Sequence, residues 1–312
     1  METTKKKRIL IVGGTGFIGK NFINSYHKEY DIIIGSRSKN IAKELEDKVK
    51  FVYDWKHDST QEYKVLQDLD VILNLSGQNI ASFRWTKSKK KEVTSGRIHI
   101  IELLYRLIEE KKIKTKSFIQ GSAIGYYGDQ GKEELTEESG KGNGFLSDLT
   151  EAMETASEKL KQLNIEVTNL RTGIVLGKDG GAYPKIARSF QLGIGSCIGN
   201  GENYFPWIHI EDEIRAIDYI IKKNIRGIVN LTAAEPVKSN VFYNQLSNSM
   251  NKSGYKKIPP LLLYPVLGKQ KVQEMFLYSQ KVIPKKLKEH EFEFRYPSVD
   301  MAIKELEGNK SI

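Results

Sequence analysis

The run Arg8-Ile9-Leu10-Ile11-Val12 stops at Gly13-Gly14-Thr15-Gly16-Phe17-Ile18-Gly19, and no other stretch limits the fold as tightly. The first run reads as a buried strand and the residues after Gly16 as a helix. Gly13 lets the chain turn, Gly16 lets the backbone approach a pyrophosphate, and Gly19 lets helix and strand pack closely. The helix then points its unpaired N–H groups and the positive end of its dipole at phosphate. The glycine spacing alone is a weak signal. On an N-terminal strand–turn–helix with further strands behind it, it points to a dinucleotide.

Those further strands follow. Ile32–Ile34, Val49–Tyr53, Val71–Leu75, Ser117–Gln120 and Val167–Leu170 are short apolar runs separated by amphipathic stretches. The pattern predicts an α/β fold, a doubly wound parallel sheet with crossover helices. After Leu176 the chain turns glycine-rich, from Gly177 to Gly201, and from Ile258 it is helical and loop-rich. The expected organisation is a dinucleotide-binding domain over residues 1–176, completed by about 207–235. A smaller, mostly helical lobe is formed by 177–206 and 236–312 and carries the substrate side. Its residues Leu261, Leu262, Leu263 and Phe276 are expected to cap a pocket.

The end of the second strand separates NAD from NADP. An acidic residue there would bond the ribose hydroxyls of NAD. Here the strand runs into Gly35-Ser36-Arg37-Ser38-Lys39, and Asp31 lies at the wrong end. Arg37 can pair with a 2′-phosphate and Ser36 can add a hydroxyl, so NADPH is the expected cofactor. Asp54 follows the third strand, where it can accept from an adenine amino group or simply cap. Gly77 lets the backbone after the fourth strand pass close to the cofactor. The stretch Gly121 to Gly128 places the hydroxyls of Ser122, Tyr126 and Tyr127 near the expected nicotinamide.

Composition removes other classes. The net charge of +10 is spread along 312 residues, often alternating with glutamate, and no zinc-finger or basic-zipper spacing occurs. Nucleic acid and metal are therefore not expected. No apolar run reaches the roughly 20 residues of a membrane span. The single cysteine, Cys197, allows no intrachain disulfide, which fits a reducing cytoplasm. A homodimer stays open.

The motifs together resemble the extended or atypical short-chain dehydrogenase/reductase superfamily, with its Rossmann fold. The glycine loop, Asn74-Leu75-Ser76-Gly77-Gln78-Asn79-Ile80, Gly125-Tyr126-Tyr127-Gly128, Leu170-Arg171-Thr172-Gly173-Ile174-Val175-Leu176-Gly177 and Phe205-Pro206-Trp207-Ile208-His209-Ile210-Glu211-Asp212 recur in order. The tail is similar to the small C-terminal domain of unknown function that marks an "epimerase family" group. The resemblance implies NADP(H) binding. It implies that Ser36 and Arg37 hold the 2′-phosphate and that Leu75 and Ser76 line the cofactor. Glu92 and Arg97 would reach the cofactor from the long helix, and Val175 would sit near the nicotinamide.

One departure limits the chemistry. Most of the superfamily uses Tyr-x-x-x-Lys on the helix after strand five, the lysine lowering the tyrosine's pKa for proton exchange. By the usual spacing Phe145 and Leu149 stand there. The one match, Tyr219 to Lys223, falls on a later helix as ordinary surface chemistry. Two readings follow. In one, the protein is an oxidoreductase on an unknown small molecule, with Tyr126 or Tyr127 beside Ser122 as donor and Trp85, Tyr126, Tyr127 and Trp207 lining an apolar pocket. His209 either carries a proton there or packs beside Trp207. In the other, the protein binds NADPH as a sensor without turnover.

Overall fold

The computed structural model describes residues 5–36, 42–54 and 62–308. In chain order, counting strands of three or more residues, these are β1 Arg8–Val12, β2 Asp31–Ser36, β3 Phe51–Asp54, β4 Leu69–Asn74, β5 Thr115–Ala123, β6 Glu166–Thr172, β7 Ile174–Gly177, β8 Ser196–Ile198, β9 Trp207–His209, β10 Gly227–Leu231 and β11 Lys256–Ile258. Helices of eight or more residues are α1 Phe17–Tyr26, α2 Lys87–Glu109, α3 Phe145–Glu158, α4 Tyr183–Gln191, α5 Ile210–Lys223, α6 Ser239–Ser249 and α7 Val299–Leu306.

Seven strands form the main sheet in the order β10-β6-β5-β4-β1-β2-β3. Every pair is parallel. Both faces are covered by helices, which is why the strands read as nearly continuous apolar runs. Along β1, Ile9 and Ile11 face Phe22, Ile23, Ile214 and Ile217 of α1 and α5. Leu10 and Val12 face the opposite layer, with Leu104 and Leu107 of α2. The strand order reverses at β1, between β2 and β4. That switch point opens a crevice at the carboxyl ends of the strands, where such sheets take ligands.

Amides cross the interior near this crevice. Asn74, Gln120 and Asn169 are neighbours in register on β4, β5 and β6 and are fully buried. Asn74 Nδ2 donates to Gln120 Oε1 at 2.8 Å, and Ser157 Oγ donates to Asn169 Oδ1 at 2.7 Å. Buried amides are tolerable because they are paired.

The main sheet is interrupted at Gly173. Beyond it, β7 pairs with β9 and with Gly180–Gly181 in a separate small sheet. This small sheet straddles the two cores: Ile208 and Val175 pack with the main sheet, while Trp207 and Leu176 pack with the smaller lobe. The chain returns to the main sheet only at β10. Phe190, Trp207, Phe242, Leu246 and Ile303 form the lobe's own core. Among the described residues, no helix is long and apolar enough to cross a membrane.

Candidate active site

The loop after β1 is shaped by its glycines. Gly13 sits at φ +83°, and a Cβ there would lie 2.8 Å from the backbone of Leu75 and Ser76. Gly16 N–H closes the turn on Gly13 O at 2.9 Å. A Cβ on Gly19 would lie 2.7 Å from Gly13 O. Gly16 caps α1 without a side-chain hydrogen bond, and the first turn of the helix holds no acidic residue. Thr15 and Gly16 are exposed there. Phe17, expected among the cofactor residues, has its ring against Gly177 and Gly180; a Cβ on Gly177 would be 2.6 Å from it. Ile18 packs into the core beside it.

The rim comes from β2, β3 and β4. Ser36 is in register with Asp54, at the ends where a ribose and adenine are expected. Arg37 lies outside the described residues. Ser76 donates both its N–H and its hydroxyl to Asn74 Oδ1, at 3.1 and 2.6 Å. Leu75 is held to β1 through Val12 O at 2.8 Å. Gly77 is exposed, and a Cβ there would meet the Arg97 guanidinium at 3.0 Å. Arg97 donates to Gln78 O at 2.9 Å, and its Nη1 lies 3.6 Å from Met153 Sδ. Its Nε is buried without a partner among the described residues. Burial holds its pKa below the usual arginine value, so an anion alongside would be favoured. Glu92 is not brought here; it faces solvent and pairs with Lys89 at 2.6 Å. Val175 packs on the core, and its carbonyl accepts from Ala182 N–H. The uncapped helix, the glycine cradle and the orphaned Nε together fit a dinucleotide pyrophosphate.

Beyond Arg97 lies a mostly apolar cavity of about 220 Å³. Ala123, Ile124 and Gly125 form one wall and Leu146, Leu149 and Thr150 of α3 another. Thr172 and Gly173 close the sheet end, and Asn203, Tyr204, Met275, Phe276, Tyr278 and Gln280 come from the small lobe. Cys197 also lines it; burial pushes its thiol up to about 11, so it stays a thiol at neutral pH.

The expected pocket aromatics are elsewhere. Trp207 is buried in the small lobe's core. Trp85 packs edge-on against Phe145 and donates to Ile80 O. His209 is buried, 2.9 Å from Glu305, with its ring 4.0 Å from that of Tyr296. Burial lowers its pKa, so its surroundings fit the packing alternative. The Tyr127 hydroxyl donates to Asn230 Oδ1 at 2.7 Å and lies 2.9 Å from Thr136 O. Desolvation pushes it up to about 12, and it does not line the cavity. Tyr126 is also outside it, its ring 3.5 Å from the Arg171 guanidinium. Of the proposed caps, Phe276 lines the cavity, while Leu261 and Leu262 are exposed and Leu263 is not in its wall.

Two features escaped sequence reasoning. Arg171, in the apolar strand β6, makes a bidentate pair with Glu154 at 2.9 and 2.8 Å. Glu154 also accepts from Ser122 Oγ at 2.7 Å, so the Ser122 hydroxyl is engaged away from the cavity. A charged residue inside an apolar strand was the available signal. The second feature is Glu274, whose carboxylate accepts from Phe145 and Leu146 N–H at 2.9 and 2.8 Å. It thereby caps α3 from the far end of the chain. On α3, Phe145 turns to Trp85, while Leu149 faces the cavity and Met153 meets Arg97. The α3 positions directed at the site are thus Leu146, Leu149 and Thr150, with Met153 against Arg97. None of these positions holds a tyrosine or a lysine.

Comparison with known proteins gives the family and the fold. Residues 9–232 match the model of the NAD dependent epimerase/dehydratase family, and residues 258–306 match a domain of unknown function, DUF1731. An epimerase family protein of Staphylococcus aureus is 33% identical over 303 residues, covering 96% of this chain and 99% of that protein. The human epimerase family protein SDR39U1, solved with NADPH, superposes with a TM-score of 0.84 at 26% identity, covering 96% of this chain and 99% of that one. A UDP-glucuronic acid 4-epimerase from Bacillus cereus, solved with UDP-glucuronic acid and NAD, gives 0.76 at 19% identity, covering 96% and 98%, a likeness of fold alone.

Proposed function

Because the chain belongs to the NAD dependent epimerase/dehydratase family, we propose that it binds NADP(H) and interconverts a small, largely apolar carbonyl compound and its alcohol. The observation that carries this reading is the mostly apolar, partly open cavity of about 220 Å³ that Arg97 also lines. The bound nicotinamide would supply or accept hydride. The chain's own residues do the rest. The α1 N-terminus and Gly13 to Gly16 hold the pyrophosphate, Ser36 and Arg37 bind the 2′-phosphate, and Arg97 meets the cofactor from α2. Ile124, Leu146 and Phe276 exclude water from the reacting carbon. The NADPH found with the human relative supports the choice of cofactor.

Calorimetry with NADPH and NADH tests the first half. NADPH should bind more tightly, and Arg37→Ala should remove most of the difference; equal affinities in the wild type would overturn it. NADPH consumption over a panel of ketones, aldehydes and enones tests the second half. The absence of tyrosine and lysine at Leu146, Leu149 and Thr150, where α3 lines the cavity, favours the sensor alternative. That alternative predicts NADPH binding, a change in oligomeric state or partner binding, and no turnover.

A further inference from the structure

The cavity's sheet end holds a hydroxyl with a carboxyl behind it. Thr172 ends β6 and lines the cavity. Its Oγ1 lies 2.9 Å from Glu213 Oε1. Glu213, on the first turns of α5, is fully buried. Its Oε2 has no partner among the described residues. Neighbouring charges are directed elsewhere. Glu211 turns to Tyr296 and Arg295, and Asp212 turns to Arg215 and the backbone of Arg295 and Tyr296. Arg171 is bound by Glu154 and His209 by Glu305. A buried carboxyl with no cation beside it keeps its proton.

We propose that Glu213 and Thr172 form the proton relay of the reaction, in place of the missing tyrosine and lysine, with Thr172 as the group that touches the substrate oxygen. The proposal rests on the oxidoreductase reading above. Reduced nicotinamide is the hydride source. As hydride forms the new C–H bond, the C=O π bond becomes an oxygen lone pair. That oxygen takes the Thr172 hydroxyl proton, and Thr172 Oγ1 takes the proton from Glu213. The carbonyl thus gains one hydride and one proton. Glu213 is left as a carboxylate and regains its proton through Thr172 from water that enters the cavity after product leaves. Burial supports this by pushing the Glu213 pKa up to about 8, so the acid form is available at neutral pH. The substrate class that follows is a ketone, aldehyde or enone with a compact apolar body and its oxygen toward β6.

The test uses the full-length protein with NADPH and the carbonyl panel, comparing wild type, Glu213→Gln, Thr172→Val and Thr172→Ser. The wild-type kcat should fall as pH rises through the Glu213 pKa. Glu213→Gln keeps a hydrogen bond to Thr172 without a proton to give. It and Thr172→Val should each lower kcat about 100-fold, abolish the pH step and leave NADPH affinity unchanged. Thr172→Ser should retain activity, and it carries the test should Glu213→Gln fail to fold. Wild-type rates and an unchanged pH profile in Glu213→Gln or Thr172→Val would overturn the relay and leave the oxidoreductase reading standing. No turnover of any panel compound by NADPH-loaded wild type would overturn that reading, and the relay with it.

Discussion

At the residue scale, the site is built from small changes with large steric or electrostatic consequences. Gly13 combines a left-handed φ of +83° with a close approach to Leu75, so Gly13→Ala strains the loop twice over. It should weaken NADPH binding about tenfold or more, as measured by calorimetry; wild-type affinity would show that the loop can move aside. Glu213 makes a second prediction, about pH. Its folded pKa stands near about 8 against an ordinary 4.5. The folded state therefore holds a proton that the unfolded chain has already released in this range. The carboxyl's contribution to stability is full below 4.5 and is lost as pH rises to about 8. Glu213→Gln cannot ionise. Its melting temperature relative to wild type should climb across that window; a constant difference would mean Glu213 is ionised throughout.

At the element scale, α3 shows what can and cannot be read from sequence. Its helical span was legible from local periodicity, as were β1, the glycine turn and α1. Its cap was not, because Glu274 is 129 residues away from Phe145. Glu274→Ala leaves the first turn of α3 without those two bonds. It should cost about 1–2 kcal/mol of unfolding free energy, read from urea denaturation; no loss would mean that water replaces the carboxylate fully. The cavity wall was illegible for the same reason. Tyr278 and Gln280 gain meaning only from what they meet. Trp207 and His209 misled because aromatic and titratable residues beside a glycine-rich stretch look like a site. Their neighbours in three dimensions, Phe242 and Glu305 among them, make them core. The burial of β1 was legible because a continuous apolar run is local information, whereas which of its residues meets which helix layer was not.

At the scale of the whole molecule, the dinucleotide-binding sheet and the small lobe share the cavity between them. A chain ended at Lys257 would lose Glu274 from α3, Met275, Phe276, Tyr278 and Gln280 from the cavity, and Ile303 and Leu306 from the lobe's core. It should melt at lower temperature and bind more of a fluorescent apolar dye than the full chain; an unchanged melt would make the C-terminal segment an appendage. The Glu274 clasp also has a consequence in time. Synthesis runs from the N-terminus, so every strand of the main sheet is made before the carboxylate that finishes α3. Until then the apolar floor at Ile124, Leu146 and Leu149 lies open on the nascent chain. The segment that covers it, from Glu274 to Gln280, is made only after the whole main sheet, so that floor stays uncovered for the interval in which those residues are still to come.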